Sequence, residues 1–207
     1  MLRFISLEGI DGAGKSTHLP FIQQFFAEKG LPLTLTREPG GTPIGEALRE
    51  LLLHNQKAMS LETETLLMFA SRQALVDEVL RPTLQRGAWV VVDRFTDSTF
   101  AYQGGGRGLA LSKIEQLAHW VHADLQPSLT FLFDVPTDTA QARIHASGRE
   151  LDRFEQEAAD FHGRVRATYL ARAAADARFV VIDGTRSIAD IQTILKAHLM
   201  RLCDELA

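Results

Sequence analysis

Gly9-Ile10-Asp11-Gly12-Ala13-Gly14-Lys15-Ser16, with Thr17 behind it, has the spacing GxxxxGK[ST]. An apolar run containing Phe4, Ile5 and Leu7 precedes it, and a segment of helical character follows. That context is the one a phosphate-cradling loop requires. Glycines let the chain wrap an anion with its N–H groups turned inward. The helix behind adds the positive end of its dipole at the same point. Lys15 can then reach terminal phosphates, and the Ser16 hydroxyl can ligate Mg²⁺. A glycine-rich turn with a chance lysine would account for the spelling but not for the strand and helix around it. The chain therefore reads as a binder of a nucleoside triphosphate, with residues 9–17 as the loop.

Working outward, short apolar runs alternate with helix-period segments, the signature of a parallel sheet covered on both faces. Strands are predicted at residues 3–8, 33–37, 89–93, 129–134 and 179–183, mostly apolar as doubly buried strands should be. Helical stripes run through Ile44, Leu48, Leu51 and Leu52, through Ile114, Leu117, Ala118 and Val121, and through Ile188, Ile191, Leu195, Leu199 and Leu202. Ser112 with Glu115 reads as a capping box. A long helix is expected from Leu61 to about Leu80, weakening at Pro82. The fold class is α/β, a five-stranded parallel sheet in one domain, with right-handed crossovers. In such a fold, ligands bind beyond the carboxyl ends of the strands. The chemistry-bearing residues lie there: Gly9–Ser16, Arg37–Gly41 and Asp93–Arg94 each follow a strand.

The 207 residues carry a formal charge of −4, which argues against a nucleic-acid binder. One cysteine, Cys203, permits no internal disulfide and fits a reducing cytoplasm. No apolar run reaches membrane-spanning length, so neither secretion nor a membrane is expected. The seven histidines form no metal pattern; His119 and His122 read as surface or boundary residues. No Asn/Thr-Lys-x-Asp segment for guanine stands out, which counts against a GTP-dependent switch.

Asp93 ends an apolar strand and is placed to hold Mg²⁺ through water, or else to cap a helix beginning at Thr96. Arg94 beside it offers a planar fork for phosphoryl oxygens. Arg37, in Arg37-Glu-Pro-Gly-Gly-Thr42, is a phosphate ligand or a surface ion pair. Phe69 and Arg72 share a helix face and could stack on and read a base, but the residues alone favour Phe69 in the core and Arg72 in solvent. Tyr102 could wall off a sugar, and Gln103 could bond a base edge. Arg143, Arg149 and Arg153 suggest a lid over residues 143–155 carrying cations, against a solvated helix face as the competing account.

Together, LEGIDGAGKST, TREPGGTPIGEALR, LLMFASR, VVDRFTDSTFAYQGGGRG and ELDRFE resemble the bacterial thymidylate kinases over nearly the whole chain. The resemblance implies a P-loop nucleoside monophosphate kinase fold that uses MgATP to convert dTMP to dTDP in dTTP biosynthesis, as a cytoplasmic homodimer. It implies that Phe69 stacks on thymine and that Arg72, with Thr99 or Gln103, reads its polar edge. Arg37 and Arg94 would grip the acceptor phosphate beside Ser98, Tyr102 would crowd the sugar, and Asp11 would lie near the 3′-hydroxyl and the metal. Arg143 would lie against adenine. Two departures stand out. Some members carry a P-loop arginine where this chain has Gly12, which would make Arg149 and Arg153 the transition-state cations. Many members place the stacking Phe four residues before the arginine, where this chain has Met68.

Overall fold

The computed structural model describes residues 1–54, 59–148 and 150–206. Five parallel strands, β1 (Phe4–Glu8), β2 (Leu33–Arg37), β3 (Trp89–Asp93), β4 (Leu129–Asp134) and β5 (Phe179–Asp183), form a sheet in the order β2-β3-β1-β4-β5. The period-two alternation of strands sorts side chains between the faces. Ile5, Leu7, Trp89 and Val91 enter one buried cluster with Ile22 and Phe26 of α1 (Lys15–Glu28) and with Ile191, Leu195 and Leu199 of α9 (Ile188–Glu205). Phe4, Val90 and Val92 enter another, with Leu75, Val76 and Leu80. Strands β2 and β5 lie at the edges and are only half-buried.

The strands fall where the sequence places them, except that Arg3 stands outside β1. The helices need more correction. Helix α2 (Pro43–Leu53) starts behind a Thr42 cap whose side chain accepts from the Gly45 N–H at 2.9 Å. Of its stripe only Leu52 is fully buried, while Ile44 and Leu51 face outward. Helix α3 (Leu61–Leu75) does not weaken at Pro82. It passes through a π-helical turn, Val76–Leu80, into α4 (Arg81–Gln85), and Pro82 falls in the first turn of α4, where a missing N–H is tolerated. The capping box at Ser112 does not form. Helix α6 (Leu111–His122) begins a residue earlier, behind Ala110, because buried Leu109 anchors the entering chain beside Phe100 and Ile114.

After β3 come one α-turn, α5 (Thr96–Thr99), and a π-helical turn, Phe100–Gly106. This turn packs on α8 (Ala159–Ala175). A side chain at Gly105 would come within 1.8 Å of the Thr168 hydroxyl, so the glycine run is what lets α8 approach. Helix α7 (Thr137–Ala146) follows β4 and takes in the first part of the expected lid. His122 is a correction: it is fully buried, bonded to the Thr96 hydroxyl and facing the Leu125 carbonyl, and burial together with Arg72 lowers its pKa to about 4.

Candidate active site

The central strand β1 ends at Glu8, and the loop 9–14 turns directly into α1 with Gly14 as its left-handed cap. Gly12 adopts φ 77°, and a Cβ there would lie 2.4 Å from the Ala140 carbonyl oxygen. This chain has no room for a side chain at that position, so any P-loop arginine is sterically excluded. The Lys15 ammonium donates to the carbonyls of Gly9 (3.0 Å) and Ile10 (3.3 Å). Burial and the neighbouring Arg94 lower its pKa, while Asp93, Asp11 and Glu8 oppose that. Gly12, Gly14, Ser16 and Thr17 line the same cleft of about 440 Å³, whereas Ile10 and Ala13 are buried beneath it.

Arg94 is the centre of the site. It is the one described non-glycine residue at positive φ (70°), held there by its N–H to the Leu7 carbonyl at 2.9 Å. Its guanidinium donates to Asp11 (2.6 Å), the Gly9 carbonyl (3.0 Å) and the Tyr102 hydroxyl (3.1 Å). Burial works against ionisation of Asp11, but the charges of Arg94 and Lys15 and the Tyr102 hydroxyl outweigh it and hold the carboxyl well below its usual range.

Beneath Arg94 lies a carboxyl that the sequence reading passed over. Glu8 is wholly buried and accepts from the Phe95 N–H (2.8 Å), Ser98 (2.6 Å) and Tyr169 (2.9 Å). It thereby clasps the turn that carries Arg94. Burial raises its pKa to about 7, Asp97 adds to the rise, and Ser98, Arg94 and the Phe95 N–H oppose it. A carboxyl whose folded pKa exceeds its unfolded value stabilises the fold at low pH and loses that contribution as pH climbs through the folded value. Urea unfolding of the native protein should therefore show about 2–3 kcal/mol more loss between pH 5 and pH 8 than Glu8→Gln shows. Parallel curves for the two proteins would refute this.

A narrower cleft of about 90 Å³ adjoins the first and shares Asp11, Glu38, Arg49 and Arg94 with it. Its far end carries Arg72, Thr99 and Gln103. Arg72 and Glu38 are an ion pair buried on both sides, 2.6 Å apart, and Arg72 also donates to Thr99 at 3.0 Å. The Arg72 Nη1 and the Glu38 Oε1 are buried without partners.

Several candidates sit differently from the expectation. Phe69 turns away from the cleft into the cluster of Phe100, Leu109 and Ile114, with the Arg72 guanidinium 4.7 Å from its ring centre; Met68 lines the cleft instead. One residue along an α-helix is a rotation of about 100°, enough to exchange pocket for core. Arg37 lines the larger cleft, is largely exposed and pairs with Glu46 at 3.0 Å, the surface ion pair of its second reading. Asp93 caps no helix, and its Oδ1 is buried without a partner. Ser98 and Tyr102 face the narrower cleft. Arg143 lines the phosphate cleft and bridges the Gly12 and Gly184 carbonyls, at 3.4 and 2.9 Å. Arg149 lies outside the described residues. Arg153 reaches the Leu52 carbonyl (3.1 Å) and Glu64, not the phosphate cleft.

Arg49 was missed. It lines both clefts and donates to the Pro39 carbonyl at 2.9 Å. Its position three residues after Glu46 on α2, on the side of the Arg37 loop, was the available signal. Tyr169, in the middle of α8, left no signal.

A phosphate loop behind the central strand, opening into a second cleft ringed by arginines, defines a P-loop nucleoside monophosphate kinase fold. The family model described as thymidylate kinase matches residues 7–194. The chain is 56% identical over 203 residues to a thymidylate kinase of Chromobacterium violaceum, covering 98% of this chain and 95% of that protein. It is 58% identical over 196 residues to one of Janthinobacterium sp. (strain Marseille), covering 94% and 95%. For one of Cupriavidus metallidurans the figure is 57% over 201 residues, covering 97% and 98%. The chain belongs to the thymidylate kinase family.

Proposed function

We propose that this chain transfers the γ-phosphoryl group of MgATP to the phosphate of dTMP, giving dTDP for dTTP synthesis. The observation that carries the reading is the pair of clefts meeting at Arg94: one holds the P-loop, the other ends in polar groups of base-reading type. A phosphate monoester has a second pKa of about 6, so the acceptor is already a dianionic nucleophile at neutral pH and needs no general base. The obstacle is repulsion between the two nucleotides. Lys15, Arg37, Arg49 and Arg94 converge on the shared cleft to oppose it, and positioning supplies much of the remainder.

The unpartnered Oδ1 of Asp93 and the Ser16 hydroxyl at the cleft fit Mg²⁺, the aspartate through the ion's water shell. When bound, the ion would supply charge neutralisation to the phosphates. Arg143 flanks the donor's adenine. Tyr102 crowds the sugar and favours deoxyribose, and Asp11 orients Arg94 near the 3′-hydroxyl. Residues 143–155 act as the lid of a single kinase domain. Within that lid, Arg149 as a transition-state cation rests on the family resemblance, and Arg153 is better read as the lid's anchor. Met68, not Phe69, packs on the base. With MgATP and a panel of dTMP, dUMP, UMP, CMP and AMP, the enzyme should turn over dTMP best. Preference for a ribonucleotide would overturn the reading.

We read the protein as a cytoplasmic homodimer. Trp120 and Leu111 of α6 and Leu66 of α3 are 81%, 49% and 53% exposed, an apolar face of the kind that a second copy covers. Among the described residues no helix is long and apolar enough to cross a membrane. Trp120→Glu should sediment as a monomer at micromolar concentration where the native chain sediments as a dimer. Unchanged sedimentation of the variant would remove this face from the interface.

A further inference from the structure

We propose that Glu64 sets which bases the acceptor cleft accepts by fixing the orientation of the Gln103 amide. Glu64 lies on α3, is fully buried and does not line the cleft, so it is a positioning residue and touches no substrate. Its Oε1 accepts from the Gln103 Nε2 at 2.9 Å and is ion-paired with Arg107, whose Nε lies 3.1 Å away; its Oε2 accepts from Arg153. A carboxylate held between two guanidinium groups can only accept hydrogen bonds. The end of the Gln103 amide that faces it is therefore the NH₂, whichever way an isolated glutamine would turn. The Gln103 carbonyl oxygen is left to offer to the cleft, which Gln103 lines together with Arg72.

Arg72 contributes the complementary group. Two of its nitrogens are committed, Nε to Glu38 and Nη2 to Glu38 and Thr99, and Nη1 is buried without a partner. The wall thus presents one fixed donor beside one fixed acceptor. Thymine and uracil match it, with a carbonyl oxygen for Arg72 and the N3–H for Gln103. Cytosine opposes it, because its N3 is an acceptor and its exocyclic N4 a donor. Without Glu64 the amide could turn over and take either edge. A site built from committed polar groups rejects a mismatched partner far more strongly than an apolar one can. This inference rests on the reading of the narrower cleft as the acceptor site.

The test is steady-state kcat/KM for dTMP, dUMP and dCMP with MgATP. In Glu64→Gln the dTMP-to-dCMP ratio should narrow by about tenfold or more, chiefly through KM for dTMP, since one mispaired buried hydrogen bond is worth about that. The dTMP-to-dUMP ratio should not move, because those bases share the edge being read; a general loosening of the fold would carry both ratios together. Arg107→Ala keeps the Glu64–Gln103 bond and should keep the dTMP-to-dCMP ratio. In the double variant Glu64→Gln/Gln103→Glu, position 103 can only accept whichever way it turns, and selection for dTMP over dCMP should return. A folded Glu64→Gln with an unchanged dTMP-to-dCMP ratio overturns the proposal, as does an equal narrowing in Arg107→Ala. If Glu64→Gln does not fold, the double variant decides alone: selection supports the proposal and its absence overturns it. Gln103→Ala separates the levels of the argument. An unchanged ratio there removes Gln103 as the base reader, whereas a native enzyme inactive on dTMP removes the proposed function itself.

Discussion

Lys15→Ala should lower kcat by roughly 10³-fold or more, the scale on which positioned cations act in phosphoryl transfer, while the protein stays folded. The two halves of this result have separate causes. In the cleft, Lys15 is the cation of the P-loop itself, and the charges of Arg94 and Arg37 lie on other elements and cannot replace it at the same point. In the fold, its ammonium is buried at a desolvation cost and bonds only to the backbone carbonyls of Gly9 and Ile10. Alanine gives up those bonds and relieves that cost, so the net change in stability is small. Single-turnover kinetics at saturating ATP and dTMP, with a thermal melt alongside, test both. Near-native turnover in the variant would take the P-loop out of the mechanism.

Arg72→Ala should damage stability and recognition together. The Glu38 carboxyl is 5% exposed, and burial already raises its pKa against the pull of Arg72. Removing one partner of a buried ion pair leaves an uncompensated charge, which costs about 3–5 kcal/mol. In a chain of this size that is a fall in Tm on the order of ten degrees. The loss should shrink at acid pH, where Glu38 takes up a proton and no longer needs a counter-charge. Arg72→Leu/Glu38→Leu removes both charges and should recover most of the stability. It should not recover turnover of dTMP, because the guanidinium that lines the narrower cleft is gone. If the double variant regains both, Arg72 is only a structural cation.

What could be read in advance depended on how local the cause was. The P-loop is spelled by neighbouring residues, since its glycines act on their own backbone angles and Lys15 and Ser16 follow by helical geometry. The strand bounds were legible for a similar reason: runs such as Trp89–Val92 must be buried on both faces, and the turns beside them end the runs. Arg94 could be chosen because arginine at the end of a buried strand has few places to go, whereas Arg72 stood out only through the family resemblance. The sequence left the choice between Phe69 and Met68 open, because the rotation of α3 is decided by Phe100, Leu109 and Ile114, which are distant in sequence. Arg153 looked like a lid cation in its own segment and is tied by a partner, Glu64, 89 residues away. Glu8 looked like the end of a strand, and the cluster of Ser98 and Tyr169 around it assembles from β1, α5 and α8.

By itself the amino-acid sequence determined the architecture, the triphosphate loop and the crevice in which chemistry occurs, because backbone preference and hydrophobic period act over a few residues. The tertiary structure decided where each side chain stands: Met68 in the narrower cleft, Arg49 between the clefts, Glu8 under Arg94 and Glu64 behind Gln103. Those assignments are made by hydrogen bonds and packing between segments remote in the chain. A buried polar group takes whichever partner the fold brings to it.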